Sequence, residues 1–379
     1  MARTIIGVND PKAVKRFSGL LAYDASMKSY FDQRFVGAGA EAEVPIQILT
    51  DLESDAGEQI SFDLLAEMKM APVEGEDNLE GKEEAQKFFT DTIYIDQARC
   101  GINTGGRMTR KRTLHNLREK ARRQQSNWWA RLRDEVRFIY LSGARGINPN
   151  FLLPIGYTGR ANNSLTAPDT AHLIYGGNAT AKNNMTNEAA GVANSDTFDL
   201  RLVDRAKTKA DSQGGGATDI PVLQPCKLDG NECFVLVMHT FQEDDLRSNT
   251  NTGQWLDIQK AAATAEGRNS PIFKGSLGMY RGVVLHSHRN VIRFNDYGAG
   301  SNYEAARALF MGSQALVEAY GSPGTNLRYD WNEETRDNGD KVVITSSSIW
   351  GTKKVTFTMG DSVAKDFGVM ALDTYAASR

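Results

Sequence analysis

The period of apolar and polar positions changes several times along the chain, and each change predicts an element. Residues 1–50 mix short apolar clusters with Gly and Ala, as from Val36 to Ala42, and fit an extended arm with a short helix near Val14 to Tyr30. Ile60, Phe62 and Leu64 then alternate with polar residues, and Phe89, Ile93 and Ile95 share one face opposite Thr90, Thr92 and Tyr94. A period of two marks half-buried strands. Between these runs lies Ala71 to Gln86, rich in Gly and acids, so the unit reads as a long two-stranded ribbon ending in a charged loop. An isolated ribbon is marginal in water and should lie against something else.

The strongest periodic signal spans residues 109–141. Leu114, Leu117, Ala121, Trp128, Leu132, Val136 and Ile139 follow a 3–4 spacing, with Gln125 filling the gap. This predicts one amphipathic helix with Thr109 as N-cap and Ser142-Gly143 as the stop. At 1.5 Å per residue it would be about 50 Å long, a spine whose apolar stripe needs a sheet. Residues 147–220 are polar and rich in Asn, Ala and Gly, interrupted by an amphipathic piece from Phe198 to Ala210. Glu232 to Thr240 reads as a buried strand, Gln254 to Glu266 as a helix, and Arg281 to Phe294 as two strand-like runs. Residues 303–320 read as another helix, with Ala306, Phe310, Ser313, Val317 and Tyr320 inward. Asn338-Gly339 between extended stretches is a strong hairpin signal. Val342 to Ile349 and Lys354 to Thr358 close the chain as strands, and no internal repeat is visible. The fold class expected is α+β.

Composition narrows the class. The chain has 379 residues with 40% hydrophobic and 24% charged positions, an ordinary globular balance. Its 35 glycines favour turns and bulges over a helical bundle. The longest uninterrupted apolar run, Cys233 to Met238, is far short of the ~20 residues that span a bilayer, so no membrane partner is expected. The charged start, Met1 to Phe17, lacks the apolar core of a signal peptide. Cys100, Cys226 and Cys233 form no C-x-x-C pair and no disulfide framework, which fits synthesis in a reducing cytoplasm.

Charge changes the picture more. The net charge is −3, yet residues 41–96 hold sixteen acids against three bases, and residues 107–137 hold eleven bases against three acids. Adjacent blocks of opposite sign are an interaction signature: they pair within a chain, pair between chains, or bind separate charged partners. The plainer alternative is two solvated faces. The basic block with Trp128 and Trp129 nearby could also contact nucleic acid through phosphates and stacking, although no helix-turn-helix or zinc finger surrounds it.

No enzyme motif survives inspection. There is no Walker loop, no G-x-S-x-G and no H-E-x-x-H, and Gly275 to Gly278 falls short of a dinucleotide fingerprint. His286-x-His288 could place two imidazoles on one strand face with His239 as a third ligand, but a lone H-x-H is a weak metal pattern, and ordinary sheet residues are the simpler account. Cys226 and Cys233 read as small buried hydrophobes. No cofactor is expected.

The order of arm, acidic ribbon, spine helix and α+β body is that of the tailed-phage major capsid fold. Asp51 to Phe62 resembles the strand-entry motif of the N-four-type phage major capsid protein family. Leu79 to Ala85 with Asp96-Gln97-x-Arg99 resembles its ribbon tip and return strand, and Trp129 to Gly143 the end of its long helix. Phe234 to His239, Asp245-Leu246-Arg247, Trp255, Pro271-Ile272-Phe273, Gly278-Met279-Tyr280, Arg307 to Gly312 and Gln314-Ala315 continue the match in order. The likeness runs from about residue 50 to the end and is weakest at 1–45 and 147–195.

The resemblance implies a structural subunit of an icosahedral shell around double-stranded DNA, with the tailed-phage/herpesvirus, Hong Kong phage-type fold. It implies no catalytic residues. The parts expected are an N-terminal arm at 1–50, an E-loop ribbon at 51–106 and the spine helix of the P-domain at 107–143. An A-domain with a loop-rich insertion follows at 144–335, and C-terminal strands return at 336–379. Partners expected are the chain itself in hexamers and pentamers, a portal protein, packaged DNA bound nonspecifically, and a separate scaffolding or decoration protein. The site expected is the ribbon tip, Glu74, Glu76, Asp77, Glu80, Glu83 and Glu84. It would meet basic residues of a neighbouring copy, among them Arg110, Lys111, Arg118, Arg122 and Arg123, some of which could face DNA instead. The alternative function is a nonspecific DNA-binding protein using the 107–137 helix.

Overall fold

The structure is a computed structural model that describes residues 11–39, 43–53, 57–65, 68, 70–75, 77–186, 196–214, 220–228, 231–248, 277–322, 328–359 and 363–378. Helix α1 (Pro11–Ser26) opens the described chain, followed by β1 (Ile46–Leu49). The ribbon pairs β2 (Gln59–Leu65) with β3 (Phe88–Tyr94), and β4 (Asp96–Asn103) returns from it. Two helices come next, α2 (Arg107–Arg112) and α3 (Leu117–Ser142), then α4 (Leu200–Ser212). Strand β5 (Asn231–Met238) leads into α5 (Thr240–Ser248), and β6 (Val283–Ser287), β7 (Tyr303–Met311) and β8 (Leu316–Gly321) follow. The chain closes with β9 (Asp330–Arg336), β10 (Lys341–Lys354), β11 (Thr356–Met359), β12 (Val363–Asp366) and β13 (Val369–Tyr375).

Two sheets flank α3. In the six-stranded sheet, Val36–Ala38, β1, β8, β10 and β9 lie in that order, and β4 also pairs with the long β10. In the eight-stranded sheet, Gly278–Tyr280, β6, β5, β7, β13 and Leu173–Tyr175 lie in order, with Arg293–Tyr297 and Cys226–Leu228 on the margins. The main core joins both sheets to α3 through Trp129, Leu132, Val136, Ile139, Val235, Leu309, Tyr320 and Trp350. A second core packs α4 and α5 against the far face of the eight-stranded sheet through Leu202, Val203, Leu236, Leu246 and Phe310. Mixed layers sharing a sheet in this way make one α+β body. Among the described residues no helix is long and apolar enough to cross a membrane.

Two expectations are corrected. Residues 303–320 are not a helix but the strands β7 and β8. Ala, Leu, Met, Arg and Glu favour helix locally, but β7 lies between β5 and β13 with both faces buried. A strand buried on both faces loses its period of two, so the pattern cannot mark it. The spine is also not one helix from Thr109. It breaks at Thr113–Asn116, and Asn116 caps α3 by accepting from the Glu119 amide at 3.4 Å. Leu114, counted as the first residue of the stripe, is fully exposed in that break. The stop holds: Gly143 is left-handed at φ +69°, where a Cβ would also strike the Thr166 carbonyl. Of the stripe itself, Ala121, Leu132 and Val136 are buried, while Leu117 and Trp128 are only half-buried.

Other elements appear where the pattern placed them: the helix near 14–30, the ribbon strands, the amphipathic piece at 198–210 and the buried strand at 232–240. The Asn338-Gly339 turn joins β9 to β10, with Asp337, Asn338 and Gly339 at positive φ as a tight hairpin turn requires. The stretch 254–266, with Trp255 and Pro271 to Phe273, lies outside the described residues.

Candidate assembly interface

The ribbon changes character along its length. Ile60 faces Ile93 in the β2–β3 register, and both are buried against Val317, Ala319, Val355 and Phe357 of the body. Lys353 of β10 binds Asp91 and the Thr92 carbonyl, which fixes the base of the ribbon. Phe62 meets Phe357 edge to face at 6.0 Å. Outward from there burial fails: Leu65, Met68, Leu79 and Phe88 are 56%, 75%, 53% and 59% exposed. The expectation that the ribbon needs a surface is met by its own body at the base and by nothing among the described residues at the tip.

The acids of the tip shape the tip. Glu84 accepts from the Met70 amide at 2.8 Å, Glu83 from the Gly81 amide at 2.7 Å, and Asp77 pairs with Lys82 at 3.5 Å. Glu74 and Glu80 are exposed, and Glu76 lies outside the described residues. These contacts of Asp77, Glu83 and Glu84 all stay within the tip.

Those helices are partly committed within the chain. Arg110 donates to the Asp340 carbonyl at 2.8 Å, and Asp340 also accepts from the Arg107 amide, which ties α2 to the β9–β10 hairpin. Arg118 pairs with Glu333 at 2.5 Å and lies over the Phe17 ring at 4.4 Å. Arg122 pairs with Asp24 of α1 at 3.5 Å. Lys111 and Arg123 are exposed, and no ion pair engages them among the described residues. Trp129 is buried with its Nε1 donating to Ser346 Oγ at 2.8 Å, and Trp128 leans on the core, so Trp129 offers no face to a base.

Behind this surface sits a cluster the sequence pattern did not reveal. Arg137 grips Glu318 of β8 with two bonds of 2.6 and 2.7 Å and also pairs with Asp32 at 2.6 Å. Arg133 reaches Asp32 at 3.0 Å and Glu318 at 3.3 Å. Asp134 accepts from Ser29 Oγ at 2.6 Å and the Tyr30 amide at 2.7 Å. Residues 29–32, α3 and β8 are thereby latched through buried charges, with Arg137 and Glu318 both 0% exposed. Burial alone would raise the Glu318 carboxyl, but Arg137, its hydrogen bond and Arg133 outweigh it and hold the group at about 2. Burial raises Asp134 in spite of Arg137. A signal existed in the sequence: Glu318 stands inside the apolar run Leu316 to Tyr320, where a charge needs a partner.

The histidines serve packing. His288 stacks on Phe138 at 5.0 Å and lies 4.4 Å from the Tyr30 ring, and His286 meets Phe35 edge to face. Nδ1 of His239 accepts from the Phe241 amide and Nδ1 of His288 from the Asn290 amide. Burial lowers both His239 and His288 to about 4, so they are neutral near pH 7. No metal-capable group of three His, Cys, Asp or Glu occurs among the described residues. Cys226 and Cys233 are buried and face each other across paired strands.

The described chain thus combines a core latched by buried charges with a ribbon whose far end leaves apolar side chains exposed. The profile of the family described as Phage capsid protein matches residues 5–378. The chain belongs to this phage capsid protein family. It is 26% identical over 365 residues to the major capsid protein of Pseudomonas phage KPP25, covering 90% of this chain and 89% of that one. The capsid of Ralstonia phage GP4 is 48% identical, covers 100% of this chain and 99% of its own, and superposes with a TM-score of 0.81. The capsid asymmetric unit of cyanophage Pam1, 20% identical with a TM-score of 0.66 over 90% and 91% of the two chains, shares the fold. This phage capsid protein therefore has the Hong Kong phage-type fold expected from its sequence. It is a structural major capsid protein of the virion shell and not an enzyme.

Proposed function

We propose that the ribbon tip of each copy docks on the basic surface of its neighbour as subunits close into hexamers and pentamers of an icosahedral head. The observation that carries this is the exposure of Leu65, Met68, Leu79 and Phe88, interspersed in sequence with the tip acids, at the end of a ribbon buried at its base. Apolar contact supplies affinity there, and charge supplies register, because exposed ion pairs contribute only ~0–1 kcal/mol each. Lys111 and Arg123 are the cations best placed to receive the tip. Arg118 remains 44% exposed beyond its own ion pair, while Arg110 and Arg122 act first within the chain. An arm and ribbon engaging together would bury roughly 1,600 Å² or more per interface.

In this reading residues 1–50 act as the arm, 51–106 as the E-loop, 107–143 as the spine of the P-domain, 144–335 as the A-domain and 336–379 as returning strands. Assembly takes place in the host cytoplasm, with a portal protein at one vertex and scaffolding or decoration proteins as separate chains. Double-stranded DNA is held nonspecifically by the exposed cations that the tip leaves open.

The test is charge reversal of Glu80, Glu83 and Glu84 to Lys. The tip contributes little to the core, so the variant folds. Electron microscopy should show shells from the parent chain and none from the variant at low salt. Recovery is expected as salt shortens the Debye length to ~8 Å at about 0.15 M and below it at higher salt. Unaltered assembly at both low and high salt would refute docking of the tip.

A further inference from the structure

At the end of β10, Lys354 points into the protein rather than out of it. Its side chain and that of Asp366, at the end of β12, are 2% and 3% exposed, and Nζ lies 2.6 Å from Asp366 Oδ1. Despite that approach, Nζ makes no hydrogen bond of adequate angle to any described group. Asp366 is held from behind: its amide donates to Asp169 Oδ2 at 2.9 Å, and its Oδ2 accepts from the Asp169 amide at 3.4 Å. Asp169 is itself fixed by the His172 amide and Nδ1 at 2.7 and 3.0 Å. An amine and a carboxyl are thus locked together in a dry site, a contact distance from bonding and without the geometry that would satisfy them as a simple pair.

We propose that Lys354 and Asp366 condense to an isopeptide bond within the chain. A buried ion pair that is poorly hydrogen-bonded gains by moving its proton from nitrogen to oxygen, since the neutral amine and carboxylic acid need no solvation of charge. The surroundings favour that form: burial lowers the Lys354 amine and raises the Asp366 carboxyl. The Nζ lone pair then adds to Cγ of Asp366. The Cγ–Nζ bond forms, one Cγ–O bond breaks, and the hydroxyl departs as water with a proton taken from nitrogen. No electron is gained or lost and no co-reactant is needed. Fixed proximity replaces the activation a solution reaction would require. Asp169 is a positioning residue that holds Asp366 against the amine. The product would staple the β11–β12 hairpin to the long strand β10.

The test is the intact mass of the full chain, taken from purified unassembled protein and from assembled particles. The expected mass is one water below that of the sequence, and the expected digest contains a branched peptide joining Lys354 to Asp366. Lys354→Arg and Asp366→Ala should each restore the full mass. Asp169→Asn should slow accumulation of the dehydrated form while leaving the same branched peptide as its only product. Full mass in the parent chain overturns the proposal. So does a water loss that persists in Lys354→Arg, which would mark a cyclic imide at an aspartate instead of a crosslink.

Discussion

The two halves of α3 are built from the same residue types and live in opposite surroundings. In the first half Arg118, Lys120 and Arg123 face water, whereas in the second half Arg133, Asp134 and Arg137 are as buried as Leu132 and Val136 beside them. The difference is what each half meets. The first half runs past the edge of α1 and β9, and the second lies between two sheets, where Glu318 and Asp32 stand ready. An arginine is thus a replaceable surface charge at one end of the helix and an internal strut at the other, and a charge count over residues 107–137 adds the two together.

The contrast breaks most sharply at Arg137. Arg137→Met leaves two buried carboxylates, Glu318 and Asp32, to share Arg133, and should cost about 3 kcal/mol. Denaturant unfolding would measure it, and a loss under 1 kcal/mol would mean the latch is solvated. Leu132→Ala, in the same half but apolar, should cost about 3 kcal/mol by leaving a cavity in the main core. A neutral result would place this stripe outside the core.

Acid sharpens the comparison because buried groups on α3 and elsewhere in the body are shifted. His239 and His288 sit at about 4 when folded against an ordinary 6.5, so below 6.5 the unfolded chain takes up protons that the folded chain refuses. Stability should fall between those values. The Glu318 carboxyl, at about 2 against 4.5, contributes fully above 4.5, and that contribution is lost as pH falls toward 2. Asp134, raised by burial, opposes part of this second loss because its folded form holds the proton better. Melting temperature against pH should therefore decline in two steps, and Glu318→Gln should flatten the lower one. A single step unaffected by that change would remove Glu318 from the account.

Smaller effects belong to the exposed half. Asn116→Ala removes the N-cap of α3 and should cost about 1 kcal/mol, read from the same denaturation curves. Arg123→Met should change stability by no more than about 0.5 kcal/mol while weakening assembly at low salt. An equal stability loss from Arg123→Met and Arg137→Met would erase the distinction between the halves.

Much of the ribbon was legible in advance. Alternation at Ile60, Phe62 and Leu64 located the ribbon, and the acid-rich stretch between its strands located the tip, because a strand with one wet face keeps its period. The β7–β8 region was not legible for the opposite reason: Ala306, Phe310 and Val317 are buried whichever face they lie on, so their spacing carried no period to read. The break at Thr113–Asn116 was hidden because Leu114 happened to fit the helical spacing, though it is exposed.

By itself the sequence determined the local order: arm, ribbon, basic helix, mixed body, the Asn338-Gly339 turn and the Gly143 stop. Each of these follows from interactions between residues close along the chain, where backbone preferences and one-sided burial leave a repeating trace. Only the tertiary structure decided which charges are internal. Arg137 meets Glu318 across 181 positions of chain, and Lys353 meets Asp91 across 262. Contacts between residues so far apart leave no period in the sequence. They exist because the folded body brings distant segments together, and two sheets closing over one helix shut the arginines in.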